Sequence, residues 1–162
     1  MGVEMTGPRT LIVLRHAKAA QDAGVSDRER PLTERGERDA VRAGAEIRAL
    51  GLEPDLVICS PSRRTTRTAE LAFPGVEVDY QRDVYGAWPE ELLEIVRRAD
   101  PERRTVVLCG HNPGALDLAM QLTGGDFGFR PGAFAVVEVE SAWAELWPGG
   151  GRLVTLWDPK EP

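Results

Sequence analysis

The chain has 162 residues, of which 42% are hydrophobic and 28% are charged, a balance typical of one folded domain. Its formal net charge of −6 argues against general binding to nucleic acids or anionic membranes, because both need a basic face. No apolar run approaches the roughly 20 residues that span a bilayer, and the first residues do not have the pattern of a secretory signal, so we expect a cytoplasmic protein without a membrane partner.

Apolar runs typical of buried strands alternate with amphipathic helical patterns along the chain. We expect residues 1–8 to form a loose tail and residues 9–162 to form one domain, since no linker or repeat divides them. The predicted strands are Thr10–Leu14, Leu56–Cys59, Val76–Val78, Thr105–Cys109, Ala133–Val139 and Leu153–Trp157. The predicted helices run from the cap Thr33 to Gly51, from Ser60-Pro61 to about Ala72, over Glu90–Ala99, and from Asn112-Pro113 to about Thr123. This alternation predicts an α/β fold with a mostly parallel sheet covered on both faces, extended at one edge by the late strands.

Polar segments follow the three strongest predicted strands. Arg15 and His16 follow the first, Ser60 and Arg64 lie just after the second, and His111 follows the third. Ligands of open α/β sheets bind beyond the carboxyl ends of the strands. Helices also open after the second and third strands, and their free N–H groups favour anions. Each residue alone is typical of an ordinary surface or structural position, but their shared location predicts a pocket for a phosphate-sized anion.

Other chemistries fit the same residues less well. A cysteine phosphatase centred on Cys59 would need an arginine where Thr65 stands, and Cys59 is more typical of a small buried side chain. A nucleophile elbow at the third segment would need a serine where Asn112 stands. The two histidines lack the spacing of a metal site, and no nucleotide-binding glycine motif is present. We therefore expect no cofactor and no metal, and whether Cys59 and Cys109 have a redox role stays open.

The segments "LRHAK", "SPSRRTTRTAE" and "GHNPG", in this order, resemble the motifs of the histidine phosphatase (phosphoglycerate mutase-like) superfamily. The short chain, "RPLTERG" and RHAK in place of Arg-His-Gly are similar to the SixA-type phosphohistidine phosphatases. The resemblance implies a three-layer α/β/α sandwich and a nucleophilic histidine, which matches His16. It also implies a phosphate pocket built from Arg15, Arg64 and His111.

Several further residues are weaker site candidates. Ser60 and Lys18 are candidate phosphate ligands, although Lys18 is equally compatible with a solvated position. Arg63 lies one residue early for the second motif. Many relatives carry an acidic proton donor in an inserted lid after that motif, but the corresponding region here is short. Asp83 and Glu90 are the nearby candidates for a proton donor.

The resemblance implies a phosphatase that works through a covalent phosphohistidine on neutral His16. A lidless site without a clear acid favours a phosphohistidine-bearing protein as substrate, because imidazole leaves far more readily than an alkoxide. A small phosphate ester is the alternative substrate, and a non-catalytic phosphate-binding signalling module is the alternative function.

Overall fold

The computed structural model of the protein describes residues 7–21 and 24–160, so most of the predicted tail over residues 1–8 lies outside the described part. Its centre is a six-stranded sheet within those residues, in the order β3-β2-β4-β1-β5-β6. The strands are β1 (Arg9–Arg15), β2 (Leu56–Cys59), β3 (Val78–Tyr80), β4 (Thr105–Gly110), β5 (Phe134–Val139) and β6 (Gly151–Trp157). Strands β1 to β4 pair in parallel, and β5 joins one edge in the antiparallel sense, followed by β6. The late strands therefore extend one edge, as predicted.

Helices cover both faces of the sheet. They are α1 (Glu34–Ala49), α2 (Arg63–Ala72), α3 (Pro89–Arg97) and α4 (Gly114–Thr123). Alternate strand residues point to opposite faces, so Ile12 packs with α1 and α2 while Leu11 packs with α3 and α4. The predicted three-layer α/β/α class with a mostly parallel sheet is confirmed. No helix in the described ranges is long and apolar enough to cross a membrane.

Several element boundaries differ from the predictions by a few residues, including the starts of α2, β3 and α4. Helix α2 begins at Arg63 rather than at Pro61, because Ser62 is the capping residue and its hydroxyl accepts a hydrogen bond from the Thr65 amide. Strand β3 begins at Val78 rather than Val76, since only the later residues pair with β2. Helix α4 begins at Gly114, so Asn112 is not its cap.

The strand order places the polar segments beside one another. Strand β4 lies between β1 and β2, and all three run in parallel. Their carboxyl ends therefore meet at one edge of the sheet, where parallel sheets bind ligands. Strand β1 ends at Arg15, as required if Arg15 and His16 are both to turn towards a common site.

Candidate active site

A cavity of about 200 Å³ lies beyond the ends of β1 and β4. Four cationic side chains contribute to its wall, with both histidines of the chain, and no carboxyl group among residues 7–21 and 24–160 lines it. The lining residues are Arg15, His16, Lys18, Ala19, Gln21, Arg30, Arg64, His111, Asn112 and Pro131. Its composition suits a small anion that carries more than one negative charge.

His16 presents one ring nitrogen as a nucleophile. The ring is buried, and its Nδ1 lies 2.7 Å from the Ala17 carbonyl oxygen. A carbonyl only accepts hydrogen bonds, so Nδ1 carries the proton and the lone pair is on Nε2. Burial is the main cause that lowers the pKa of His16 from 6.5 to about 3. The Ala17 hydrogen bond opposes this shift, and the charges of His111, Arg64 and Arg15 contribute to it. The imidazole is therefore neutral at physiological pH.

The loop that carries His16 is held from several sides. The His16 amide donates to the Gly110 carbonyl at 3.1 Å, and the His16 carbonyl accepts from the Gly132 amide at 2.9 Å. The Ala17 amide donates to the Thr68 hydroxyl at 3.0 Å. That hydroxyl in turn donates to the Arg64 carbonyl at 2.7 Å. Thr68 therefore ties the nucleophile loop to the helix that carries Arg64.

Arg15 and Arg64 bring two positive charges into this partly buried site. Arg15 donates to the Phe129 carbonyl at 3.0 Å and has no ion-pair partner among the described residues. Burial and the charge of Arg64 lower the pKa of Arg15. Each guanidinium also has a buried Nε without a partner within the described chain. An anion in the cavity would compensate both charges, which favours phosphate binding.

His111 lies between Arg64 and Ser60. Arg64 Nη2 is 3.3 Å from His111 Nδ1, and because arginine only donates, Nδ1 is the acceptor. Nε2 therefore carries the proton and donates to the Ser60 hydroxyl at 2.8 Å. Burial and Arg64 lower the pKa of His111 to about 4, so this ring is also neutral. The His16 and His111 ring centroids are 5.4 Å apart.

Asp27 and Tyr85 belong to the site region but were not predicted. Arg64 donates to the Asp27 backbone oxygen at 2.6 Å and to its carboxylate at 3.0 Å. The Tyr85 hydroxyl donates to the same carboxylate, and Arg30 pairs with it at 3.1 Å. The Tyr85 bond and Arg64 hold the pKa of Asp27 well below its usual range, so it stays ionised. No local pattern marks Asp27, whose partners lie far away in sequence, except Arg30.

The structure brings together Arg15, His16, Arg64 and His111, the four principal predicted residues. Lys18 is exposed at the edge of the cavity. Ser60 is fully buried and is not among the residues that line the cavity; its hydroxyl accepts from His111, and its contact with phosphate stays a prediction.

The weaker candidates lie elsewhere. Asp83 and Glu90, the predicted proton donors, are exposed and do not line the cavity. Arg63 is exposed and lines a different cavity, which separates it from its neighbour Arg64. Residues 7–21 and 24–160 contain no group of three or more His, Cys, Asp or Glu side chains that could hold a metal ion.

Residues 11–84 match the family model of the histidine phosphatase superfamily, branch 1. A Mycobacterium tuberculosis H37Rv protein of uncharacterized function is 34% identical over 160 residues, covering 91% of this chain and 100% of that protein. The structure of a proposed phosphohistidine phosphatase, SixA, from Nakamurella multipartitia has a TM-score of 0.88 at 31% identity, covering 94% of this chain and 97% of that one. The chain belongs to the histidine phosphatase superfamily.

A second proposed SixA phosphatase, from Agrobacterium tumefaciens, has a TM-score of 0.80 at 29% identity, covering 94% of this histidine phosphatase and 99% of that chain. Both likenesses extend over nearly the whole chain. The predicted superfamily and SixA type are confirmed, and the protein is a phosphatase of that type.

Proposed function

We propose that this phosphatase hydrolyses phosphohistidine on a protein through a covalent intermediate on Nε2 of His16. One observation carries the proposal: a neutral histidine with its lone pair on Nε2 lies in a cavity that the described residues line with cations and with no carboxyl group. These groups suit capture of a phosphoryl group, and they suit a leaving group that departs without an acid.

In the first step, the lone pair of His16 Nε2 attacks phosphorus in line. The new P–N bond forms as the P–N bond of the substrate breaks. The electron pair leaves with the substrate ring, whose other nitrogen carries a proton taken from solvent, so neutral imidazole departs. Arg15 and Arg64 stabilise the charge that spreads over the equatorial oxygens. The Ala17 carbonyl accepts from Nδ1–H throughout, so it stabilises the positive charge that develops on the ring.

In the second step, water attacks the phosphorus of the phosphoenzyme. The P–Nε2 bond breaks, its electron pair returns to His16, and the proton lost by water passes to phosphate or solvent. Neutral His16 and inorganic phosphate are the products. Splitting one displacement into two easier ones is the usual advantage of covalent catalysis.

The described part of the cavity wall offers no acid to protonate a leaving group. An alkoxide needs a proton as it departs. Asp27, the carboxylate that pairs with Arg64 and Arg30, stays ionised and therefore has no proton to donate. A phosphohistidine ring can take up a proton from solvent on its other nitrogen, so it leaves as neutral imidazole without an acid supplied by the protein. This contrast supports a phosphohistidine substrate over an alkyl or sugar phosphate.

The size of the cavity supports a protein substrate. Its volume of about 200 Å³ lies below the roughly 300–1,000 Å³ of typical small-molecule pockets. It can enclose a phosphoryl group and little more, so the remainder of the substrate lies outside. A phosphorylated side chain of a protein meets this condition.

The test compares hydrolysis of a phosphohistidine protein with hydrolysis of sugar and alkyl phosphates. We expect preference for the phosphohistidine protein, with an acid-labile, base-stable phosphoenzyme that disappears in His16→Ala. Arg64→Ala should lower kcat by about 100-fold or more, as loss of one oxyanion-stabilising donor does, whereas Arg63→Ala is the matched control. Preference for the esters would identify a phosphomonoesterase, and phosphate binding without turnover would identify a binding module.

A further inference from the structure

A second cavity adjoins the catalytic one. It also has a volume of about 200 Å³ and shares Lys18 and Pro131 with the catalytic cavity. Arg35, Asp39, Arg130 and Pro159 complete its lining. Three cations and one carboxylate thus contribute to this wall, although the whole chain carries a net charge of −6. The surface beside the nucleophile is therefore basic on an otherwise acidic protein.

The carboxylate of this second cavity is already engaged. Asp39 is buried and pairs with Arg35 at 3.4 Å and with Arg42 at 3.2 Å. Lys18 and Arg130 differ from it, because both are exposed and neither has an ion-pair partner among the described residues. Two positive charges consequently remain available to a ligand at the border of the catalytic cavity.

The backbone of Lys18 is fixed by the start of α1. Its carbonyl accepts from the Thr33 amide at 2.9 Å. The first turn of α1 approaches the same carbonyl so closely that a Cβ on Gly36 would lie 2.1 Å from its oxygen. The base of the Lys18 side chain therefore has a defined position beside the nucleophile.

The backbone on both sides of Arg130 is held by residues that line the catalytic cavity. The preceding carbonyl, of Phe129, accepts from Arg15 at 3.0 Å and from Asn112 at 3.3 Å. Two residues later, the Gly132 amide donates to the His16 carbonyl. Arg130 is thus tied on both sides to residues that line the catalytic cavity.

We propose that Lys18 and Arg130 form a subsite that binds an acidic side chain close to the phosphohistidine in the sequence of the substrate protein. The subsite rests on the proposed function, and it adds a preference for acidic flanking sequence. A ligand confined to the catalytic cavity would not reach Arg130, which lines only the second cavity. A polypeptide extends across Pro131 from one cavity to the other, so its carboxylates can pair with both cations.

The experiment measures kcat/KM for two phosphohistidine peptides that differ only in acidic or alanine residues beside the phosphohistidine. We expect the wild-type protein to prefer the acidic peptide by about five- to tenfold, the range that two partly exposed ion pairs allow. Arg130→Ala should reduce this preference to about twofold, and Arg130→Glu should abolish or reverse it. Raising the salt concentration should also reduce it, because exposed pairs are screened.

Arg38→Ala is the matched control, because Arg38 is an exposed arginine of α1 that lines neither cavity. It should keep the wild-type preference. An equal preference in wild type, Arg130→Glu and Arg38→Ala would overturn the subsite while leaving phosphohistidine hydrolysis intact.

Binding of an unphosphorylated, rhodamine-labelled acidic peptide separates the subsite from the proposed function. Fluorescence anisotropy should show weaker binding to Arg130→Glu than to the wild-type protein and to Arg38→Ala. If neither phosphohistidine peptide is hydrolysed, the proposed function fails and this binding difference alone decides the subsite. Equal anisotropy for all three proteins would then refute it.

Discussion

Buried, neutral His16 should make the protein less stable as the pH falls. Its pKa is 6.5 when unfolded and about 3 when folded, so acid favours the unfolded state, which binds the proton first. The stability contributed by the neutral ring is complete above pH 6.5 and is lost progressively towards pH 3. Each pH unit in this window costs about 1.36 kcal/mol. At pH 5 the loss is therefore about 2 kcal/mol of unfolding free energy.

Urea denaturation of the wild-type protein and of His16→Gln at pH 7.5, 6 and 5 measures this loss. The variant keeps His111 and every carboxylate, so the difference between the two proteins isolates His16. Its side-chain amide can still donate to the Ala17 carbonyl. Relative to the variant, the wild-type protein should lose about 2 kcal/mol between pH 7.5 and pH 5. A difference that stays constant with pH would show that folded His16 titrates normally, and the reasoning from burial would be refuted.

Three substitutions test the surroundings of the nucleophile. Asp27→Asn removes the carboxylate that pairs with Arg64 at 3.0 Å. The competitive inhibition constant of inorganic phosphate should therefore fall about fivefold, a gain of about 1 kcal/mol in binding free energy. An unchanged inhibition constant would contradict this. Thr68→Val leaves the Ala17 amide without its buried hydrogen-bond partner and should cost about 1–3 kcal/mol in urea denaturation. A loss below about 0.5 kcal/mol would argue against the tie. Gly36→Ala places a Cβ 2.1 Å from the Lys18 carbonyl oxygen, so the midpoint of thermal unfolding should fall by several degrees. Gly128→Ala is the control, because its Cβ would meet nothing within 4 Å, and its midpoint should stay close to that of the wild-type protein.

The central strands and the principal site residues were predictable because their signals are local. Three apolar runs mark β1, β2 and β4, and parallel pairing then forces the segments after them to share one edge of the sheet. His16 and His111 follow from that topology. Choosing Arg64 over Arg63 needed the family resemblance, since spacing alone leaves both arginines as candidates.

The errors arose where tertiary contacts decide between similar local signals. Ser60 and Ser62 are both plausible caps, but the Ser60 hydroxyl accepts a hydrogen bond from His111, which follows β4, and Ser62 caps α2. Asp27 and Tyr85 are separated by 58 residues and meet only in the folded protein. No periodicity or spacing encodes such a contact, so neither residue could be predicted.

The arrangement of charges explains how His16 can be activated without a neighbouring base. Burial and the nearby arginines keep the proton off Nε2 before the substrate binds, so the lone pair is available at neutral pH. A bound phosphoryl dianion compensates Arg15 and Arg64, which raises the basicity of the ring when it must form a bond to phosphorus. A carboxylate in the cavity wall would raise the pKa of His16 earlier and repel the dianion. A wall whose described residues include no carboxylate thus favours the nucleophile and, under the proposed function, favours a substrate whose leaving group needs no acid from the protein.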